Sequence, residues 1–271
     1  MTIAFNHLGK MGQLGNQMFQ YAAARGISSK LGVPFMVPNH REIFDDGIGN
    51  RYPILLYDAF KLTGATLLGN FDTEDYIQED YFHFDDTFFN LDKDRNYSLV
   101  GFFQSERYFS HIENEIRKDF SFKDEIVEEC KSLIKAFDKP VSLHIRRGDF
   151  IINSGNHPPL GMDYYENALK QFDSERQVII FSDDTNWCKE QDLFESDRFA
   201  VAEGGNQFYD MCLMSMCSDH IIANSTFSWW PAWLATNPDK KVIYPKQWFG
   251  ITGYTKDHDV SDLFPGRWIK L

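Results

Sequence analysis

The sequence predicts an α/β chain of two lobes, the second built of βαβ units around a parallel sheet. Three observations predict it. In the C-terminal half, short apolar runs alternate with segments of helical periodicity. Near the start, a short strand, a glycine-rich turn and a long helix follow one another. Between the halves, Asp138-Lys139-Pro140 reads as a break, because the residue before a proline is disfavoured in a helix. The expected lobes are therefore 1–138 and 139–271.

Taken in order, residues 2–6 form the first expected strand and Gly12–Gly15 the turn. An amphipathic helix follows, with Met18, Ala22, Ala23, Ile27 and Leu31 along one face. A second strand is expected over 33–37. Residues 39–97 mix turns, aromatics and acids without a readable period. A strand over 99–104 and helices over 106–119 and 123–137 complete the first lobe. In the second, strands are expected over 141–145, 178–181, 199–202, 220–223 and 242–244. Helices are expected over 163–172, 185–191, 207–217 and 226–235. In the third of these, Phe208, Met211, Cys212 and Ser215 share a face. Ligands of such sheets sit beyond the carboxyl ends of the strands, where loops and helix N-termini converge.

Composition narrows the function. With 43% hydrophobic residues the 271-residue chain can build sizeable cores, and its net charge of −13 argues against a nucleic-acid partner. An anionic ligand would need local positive charge against that field. Cys130, Cys188, Cys212 and Cys217 lack zinc-ligand spacing and read as reduced core thiols. There is no signal-peptide pattern and no run of ~18 apolar residues, so a cytoplasmic chain without a transmembrane segment is expected.

Four segments carry chemistry. Ser142–Phe150, SLHIRRGDF, ends an apolar strand with His144, Arg146 and Arg147. Two guanidinium groups at a strand end suit a diphosphate, since each forks onto phosphate oxygens; the bland alternative is an Arg147–Asp149 ion pair. Asp149 is placed to orient an arginine or to act as a base. Gly12–Ala24 sets Gly15, Asn16 and Gln17 at a strand-to-helix junction, which is either an anion site or an ordinary tight turn. Val178–Asp184 ends in Asp183 and Asp184, which could bind a divalent metal, accept from a guanine edge or cap the next helix. Asn224–Leu234 brings Ser225, Thr226 and Ser228 to a helix start, with Trp229 and Trp230 placed to stack on a sugar or base; Trp230 and Trp233 are also core candidates. The acidic run Phe71–Asp80 reads as a solvated face, and His157 as a loop residue without a role.

In this order, the four segments resemble the α-1,2-fucosyltransferases, the galactoside 2-alpha-L-fucosyltransferases, and most of all their short bacterial members. The resemblance spans Gly12 to about Trp233. It implies a GT-B fold of two Rossmann-like lobes with a donor cleft between them, the first on the acceptor side and the second holding the donor. It implies L-fucose transfer from GDP-L-fucose to a galactose 2-hydroxyl, with inversion and no metal cofactor, in surface polysaccharide or oligosaccharide synthesis. The expected partners are GDP-fucose and a galactose-terminated oligosaccharide or lipid-linked glycan, with the enzyme cytoplasmic or peripheral on the inner membrane. By residue, the resemblance assigns Arg146 to the diphosphate with Arg147 in support, and His144 to the donor. It assigns Asp183, with Asp184 as rival, to guanine. Ser225, Thr226, Ser228 and Trp229 fall to the diphosphate and fucose, and Gly15, Asn16 and Gln17 to a loop over the donor. One departure stands out. The α-1,6 relatives place a glutamate shortly after the H-x-R-R segment, and here none occurs from Asp149 to His157, which leaves Asp149 as the candidate base.

Overall fold

The computed structural model describes residues 1–39, 43–45, 51–62, 64, 67–69 and 75–271. Phe71–Glu74, most of the first half of the acidic run, lie outside the described residues. The chain divides into two compact units, Met1–Lys123 with His258–Pro265, and Asp124–Asp257 with Gly266–Leu271.

The first unit contains β1 (Ile3–Ala4), α1 (Leu14–Leu31), β2 (Phe35–Val37), β3 (Ile43–Asp45), β4 (Arg51–Pro53), α2 (Leu56–Ala59), β5 (Leu67–Leu68), β6 (Tyr76–Gln78), β7 (Tyr97–Val100) and α3 (Glu113–Asp119). Its sheet runs β5-β2-β1-β7-β6 with every pairing parallel, and β3–β4 is a separate antiparallel pair. The turn after β1 thus leaves the sheet where its strand order reverses.

α1 is buried on nearly every side rather than amphipathic. Two of its buried polar side chains reach backbone. Gln17 donates to the Pro53 carbonyl (3.1 Å) and accepts from the Leu55 N–H (2.8 Å). Gln20 donates to the carbonyls of Met11 and Gly101, both at 3.0 Å. The helix stops at Gly32, whose left-handed φ of 71° no β-branched residue would adopt cheaply.

Two expectations shift here. The strand expected over 99–104 ends at Val100, because Gly101 (φ 154°) and Phe103 (φ 52°) leave extended geometry. Their amides turn onto Glu79, whose carboxylate accepts from the Phe102 and Phe103 N–H groups at 2.8 and 2.9 Å. The helix expected over 106–119 is two 3-10 turns, Glu106–Tyr108 and Ser110–Ile112, and only then α3.

The second unit contains α4 (Asp124–Ile134), β8 (Val141–Ile145), α5 (Gly148–Ile152), α6 (Met162–Leu169), β9 (Val178–Ser182), α7 (Thr185–Lys189), β10 (Phe199–Val201), α8 (Gln207–Met216), β11 (Asp219–Ile221), α9 (Thr226–Leu234), β12 (Val242–Tyr244) and β13 (Ile269–Lys270). Its parallel sheet runs β10-β9-β8-β11-β12-β13. Numbered within the unit this is 3-2-1-4-5-6, the dinucleotide-fold order, with its reversal between β8 and β11. Val141, Leu143 and Ile145 pack with Val178, Ile180, Ile221 and Ile243 beneath Tyr165, Ala168 and Leu169 of α6. Because α4 packs on α8, the units divide at Lys123/Asp124, upstream of Asp138. All four cysteines are free and buried. No helix among the described residues is long and apolar enough to cross a membrane.

Buried titratable groups set an expected pH profile. Burial drives His144 and His220 down to about 3, with the nearby charges of Arg146 and Lys240 adding to the effect. His220 shares a 2.8 Å hydrogen bond with Ser142 Oγ across β11 and β8. Below about pH 6.5 the unfolded chain takes up protons that these rings refuse, so their contribution is complete above that pH and is lost as pH falls towards 3. Glu79 and Asp210 are pushed by burial to about 7 and about 6. They hold protons the unfolded chain releases, so their stabilisation is present at low pH and is lost as pH rises through those values. The two pairs oppose each other, and stability should be nearly flat between about pH 5 and 6.5. Glu79→Gln should give it a positive slope of up to about 1.4 kcal/mol per pH unit, read from urea midpoints across that range. A variant as flat as the parent would contradict the assignment.

Candidate functional site

The carboxyl ends of β9, β8 and β11 bring three of the four sequence segments together at the reversal of the second sheet. β8 delivers His144, then Arg146 and Arg147. The chain turns at once into α5, a short helix not among those expected, so Asp149 comes back onto Arg146. Arg146 donates from Nε (3.1 Å) and Nη2 (2.7 Å) to Asp149 Oδ1, and its Nη1 lies 3.2 Å from Asp183 Oδ2. The ion pair anticipated between Arg147 and Asp149 is therefore made by Arg146. A guanidinium three residues before an acid on a new helical turn is within reach, whereas Arg147 points the other way.

Arg147 donates from Nε to Asp184 Oδ2 at 3.0 Å, and its guanidinium carbon lies 3.9 Å from the centre of the Trp187 ring. Its backbone N–H donates to Asp183 Oδ1 at 2.9 Å. Asp184 also caps α7, accepting from the Trp187 N–H at 3.2 Å. The two aspartates thus each hold an arginine, and one of them has the capping role as well. Gly148 makes room for this. A methyl there would stand 2.5 Å from Asp183 Oδ2. Gly148→Ala is expected to lower the urea midpoint by the equivalent of about 1–3 kcal/mol. An unchanged midpoint would mean that the carboxylate turns aside freely.

His144 is buried, neutral, and its ring centre lies 5.5 Å from that of Phe227, with no hydrogen-bond partner at Nδ1 among the described residues. It adds no charge to the site. At the end of β11, Ser225 caps α9 by accepting from the Phe227 N–H at 3.3 Å. Ser228 is buried and donates to the Ser225 carbonyl at 3.2 Å. Thr226, partly exposed, opens the helix. Asn224 was legible only as part of its motif. It ties two loops by donating to the Pro158 and Trp248 carbonyls at 3.0 and 3.1 Å.

Trp229 departs from expectation. It is 0% exposed and packs on Trp230, Trp233 and Trp268, with ring centres 5.0, 6.3 and 5.3 Å away. It presents no face to a ligand and belongs to the core, as do Trp230 and Trp233. His157 likewise packs, stacked on Phe150 at 5.1 Å.

Gly15, Asn16 and Gln17 lie in the first unit, at the start of α1. Asn16 Oδ1 accepts from Gln104 Nε2 at 3.0 Å, and Gln17 is buried in the backbone bonds given above. Gly12 is required by Asn16, because a Cβ there would stand 2.1 Å from Asn16 Nδ2 at a φ of 91°. The fourth segment is thus a braced turn in its own unit.

Residues 3–256 match the model of glycosyl transferase family 11. The chain is 31% identical to the O-antigen biosynthesis glycosyltransferase WbnK of Escherichia coli, over 96% of this chain and 98% of that protein. It is 34% identical to an alpha-1,2-colitosyltransferase of Escherichia coli, over 64% of this chain and 62% of that protein. It is 26% identical to galactoside alpha-(1,2)-fucosyltransferase 1 of Alouatta caraya, over 93% and 75%. Among solved structures, POFUT1 in complex with GDP aligns with a TM-score of 0.57 at 13% identity, over 90% of this chain and 97% of that one. The fucosyltransferase NodZ from Bradyrhizobium aligns at 0.55 and 11%, over 85% and 92%. These two likenesses carry the fold, which is of the GT-B class.

Proposed function

The chain belongs to glycosyl transferase family 11, and from that premise we propose that it moves L-fucose from GDP-β-L-fucose to the 2-hydroxyl of a galactoside, with inversion and without a metal. The observation that carries this reading is Arg146, held by Asp149 and Asp183 at the strand-order reversal of a dinucleotide-type sheet. The names of the alpha-1,2-colitosyltransferase and the alpha-(1,2)-fucosyltransferase support the linkage, and the second of them the sugar. The acceptor is a galactose-terminated oligosaccharide or lipid-linked glycan, handled in the cytoplasm or on the inner face of the membrane.

In the proposed reaction the bond from fucose C1 to the β-phosphate oxygen breaks as the acceptor oxygen forms its bond to C1 from the opposite face. Negative charge grows on the phosphate. Arg146 exchanges its carboxylate partners for phosphate oxygens and strengthens its hold as the charge develops, which lowers the barrier rather than merely binding the donor. That exchange frees Asp149, whose side chain is 65% exposed, to take the acceptor's proton. Arg147, anchored by Asp184 and Trp187, supports the diphosphate. Asp183 or Asp184 accepts from the guanine edge, Ser225 and Thr226 line the phosphate at the start of α9, and neutral His144 contacts the donor. Ser228 and Gln17 act through the backbone they hold.

A second donor is favoured by one observation, the 34% identity to an alpha-1,2-colitosyltransferase. Colitose is fucose without its 3-hydroxyl. A site that hydrogen-bonds this hydroxyl rejects the deoxy sugar strongly, while a site that does not discriminates little. Turnover of GDP-fucose, GDP-colitose and GDP-mannose with one acceptor panel separates the readings. Preference for GDP-fucose is the expected result, and exclusive use of either other donor would replace it.

A further inference from the structure

A polar cavity lies in the first unit, and none of the residues assigned above lines it. It has a volume of about 430 Å³ and is walled by Tyr81, His83, Phe84, Asp85, Asp86 and Arg107. We propose that it is a subsite for a neutral hexose of the acceptor glycan, with Tyr81 as the stacking face; this rests on the transferase reading above.

The cavity is a built one. Phe84 donates its N–H to Asp262 Oδ2 at 2.7 Å, and Asp85 donates its N–H to the Tyr108 hydroxyl at 3.0 Å. Phe82 stacks on His258 at 4.9 Å and 17°. The segment His258–Pro265 returns to this unit from far along the chain, and through Asp262 and His258 it braces the wall of the cavity. Asp85 Oδ1 accepts from the Thr87 N–H at 2.9 Å, fixing the opening of the 3-10 turn that carries Asp86. Arg107 lies over the Phe84 ring at 4.1 Å and 3.7 Å from the Asp262 carboxylate. Such a wall is ordered before any ligand arrives, which spares the entropy of ordering it on binding.

Its chemistry suits a sugar. Tyr81 is 60% exposed and stacks one ring face on His83, with ring centres 5.2 Å apart and planes at 26°, so its other face is free. That leaves a broad aromatic face open to solvent, where the C–H groups on one side of a pyranose can lie. The carboxylates of Asp85 and Asp86 accept from hydroxyls, and the Arg107 fork donates to them. The sign of the charge selects among ligands. Asp85 and Asp86 line the cavity against one cation, Arg107, which already faces Asp262, so this cavity repels a phosphate, whereas Arg146 and Arg147 attract one. The two sites therefore sort a neutral sugar from an anionic nucleotide.

The test uses the full chain. Tyr81→Ala and Asp86→Asn are assayed with GDP-fucose and lactose, with GDP affinity measured separately by calorimetry. Expected is a rise in the lactose KM of about tenfold in Tyr81→Ala, the loss of one good stacking contact. The rise in Asp86→Asn should be smaller, with GDP affinity and melting temperature as in the parent. An unchanged lactose KM in both variants would overturn the subsite. Lactose binding without turnover is read by saturation-transfer NMR. Binding by the parent but not by Tyr81→Ala would support the subsite even if no transfer occurred, and the transferase reading alone would then fail. Equal binding by both would sink the subsite alone.

Discussion

Arg146→Ala is expected to lower turnover on the order of 10²–10³-fold while leaving the fold intact. The side chain is partly exposed, and its removal leaves Asp149 and Asp183 in contact with water, where their charges remain solvated. The lost interaction is the one that grows as the leaving phosphate gains charge, so the loss falls on kcat and on kcat/KM together. Arg146→Lys should recover only part of it. An ammonium is a point charge and cannot span two oxygens as the fork does. Arg147→Ala should be milder, because that guanidinium is already committed to Asp184 and the Trp187 ring. Turnover in Arg146→Ala within about threefold of the parent, well short of the tenfold that 1.4 kcal/mol of barrier gives, would remove Arg146 from the chemistry.

Trp229→Ala is expected to cost about 3–5 kcal/mol of stability. The indole fills the middle of a four-tryptophan cluster whose members come from α9 and from the returning C-terminal residue Trp268. Truncation leaves a void that its rigid aromatic neighbours cannot collapse into. Trp229→Phe should recover more than half of the loss. Denaturant midpoints decide the matter. A variant as stable as the parent, with only a weaker donor KM, would return Trp229 to the role of a ligand platform.

The second sheet was legible because its strands are buried on both faces and read as unbroken apolar runs such as Val178–Phe181. Their order was not, since nothing local in β8 or β11 says that they are neighbours. Arg146, Asp183 and Asp184 were visible as charges ending such runs. Their pairing was not, because it depends on α5, a helix of five residues too short to leave a period. Trp229 misled because a tryptophan beside hydroxyls reads alike whether it faces a ligand or a core, and only packing against distant Trp268 decides it. The strand expected over 99–104 failed at Gly101 and Phe103, whose backbone geometry answers to Glu79, more than twenty residues upstream. The Tyr81 cavity had no sequence signal, because its walls are fixed by Asp262, 178 residues after Phe84.

The most direct measurement incubates the protein with GDP-fucose and lactose in excess EDTA and analyses the products by mass and by NMR. The predicted result is acceptor-dependent GDP release and a trisaccharide heavier by one deoxyhexose, with the new sugar α-linked at the 2-hydroxyl of galactose. GDP release that is indifferent to acceptor, activity abolished by the chelator, or a linkage at another hydroxyl would contradict it.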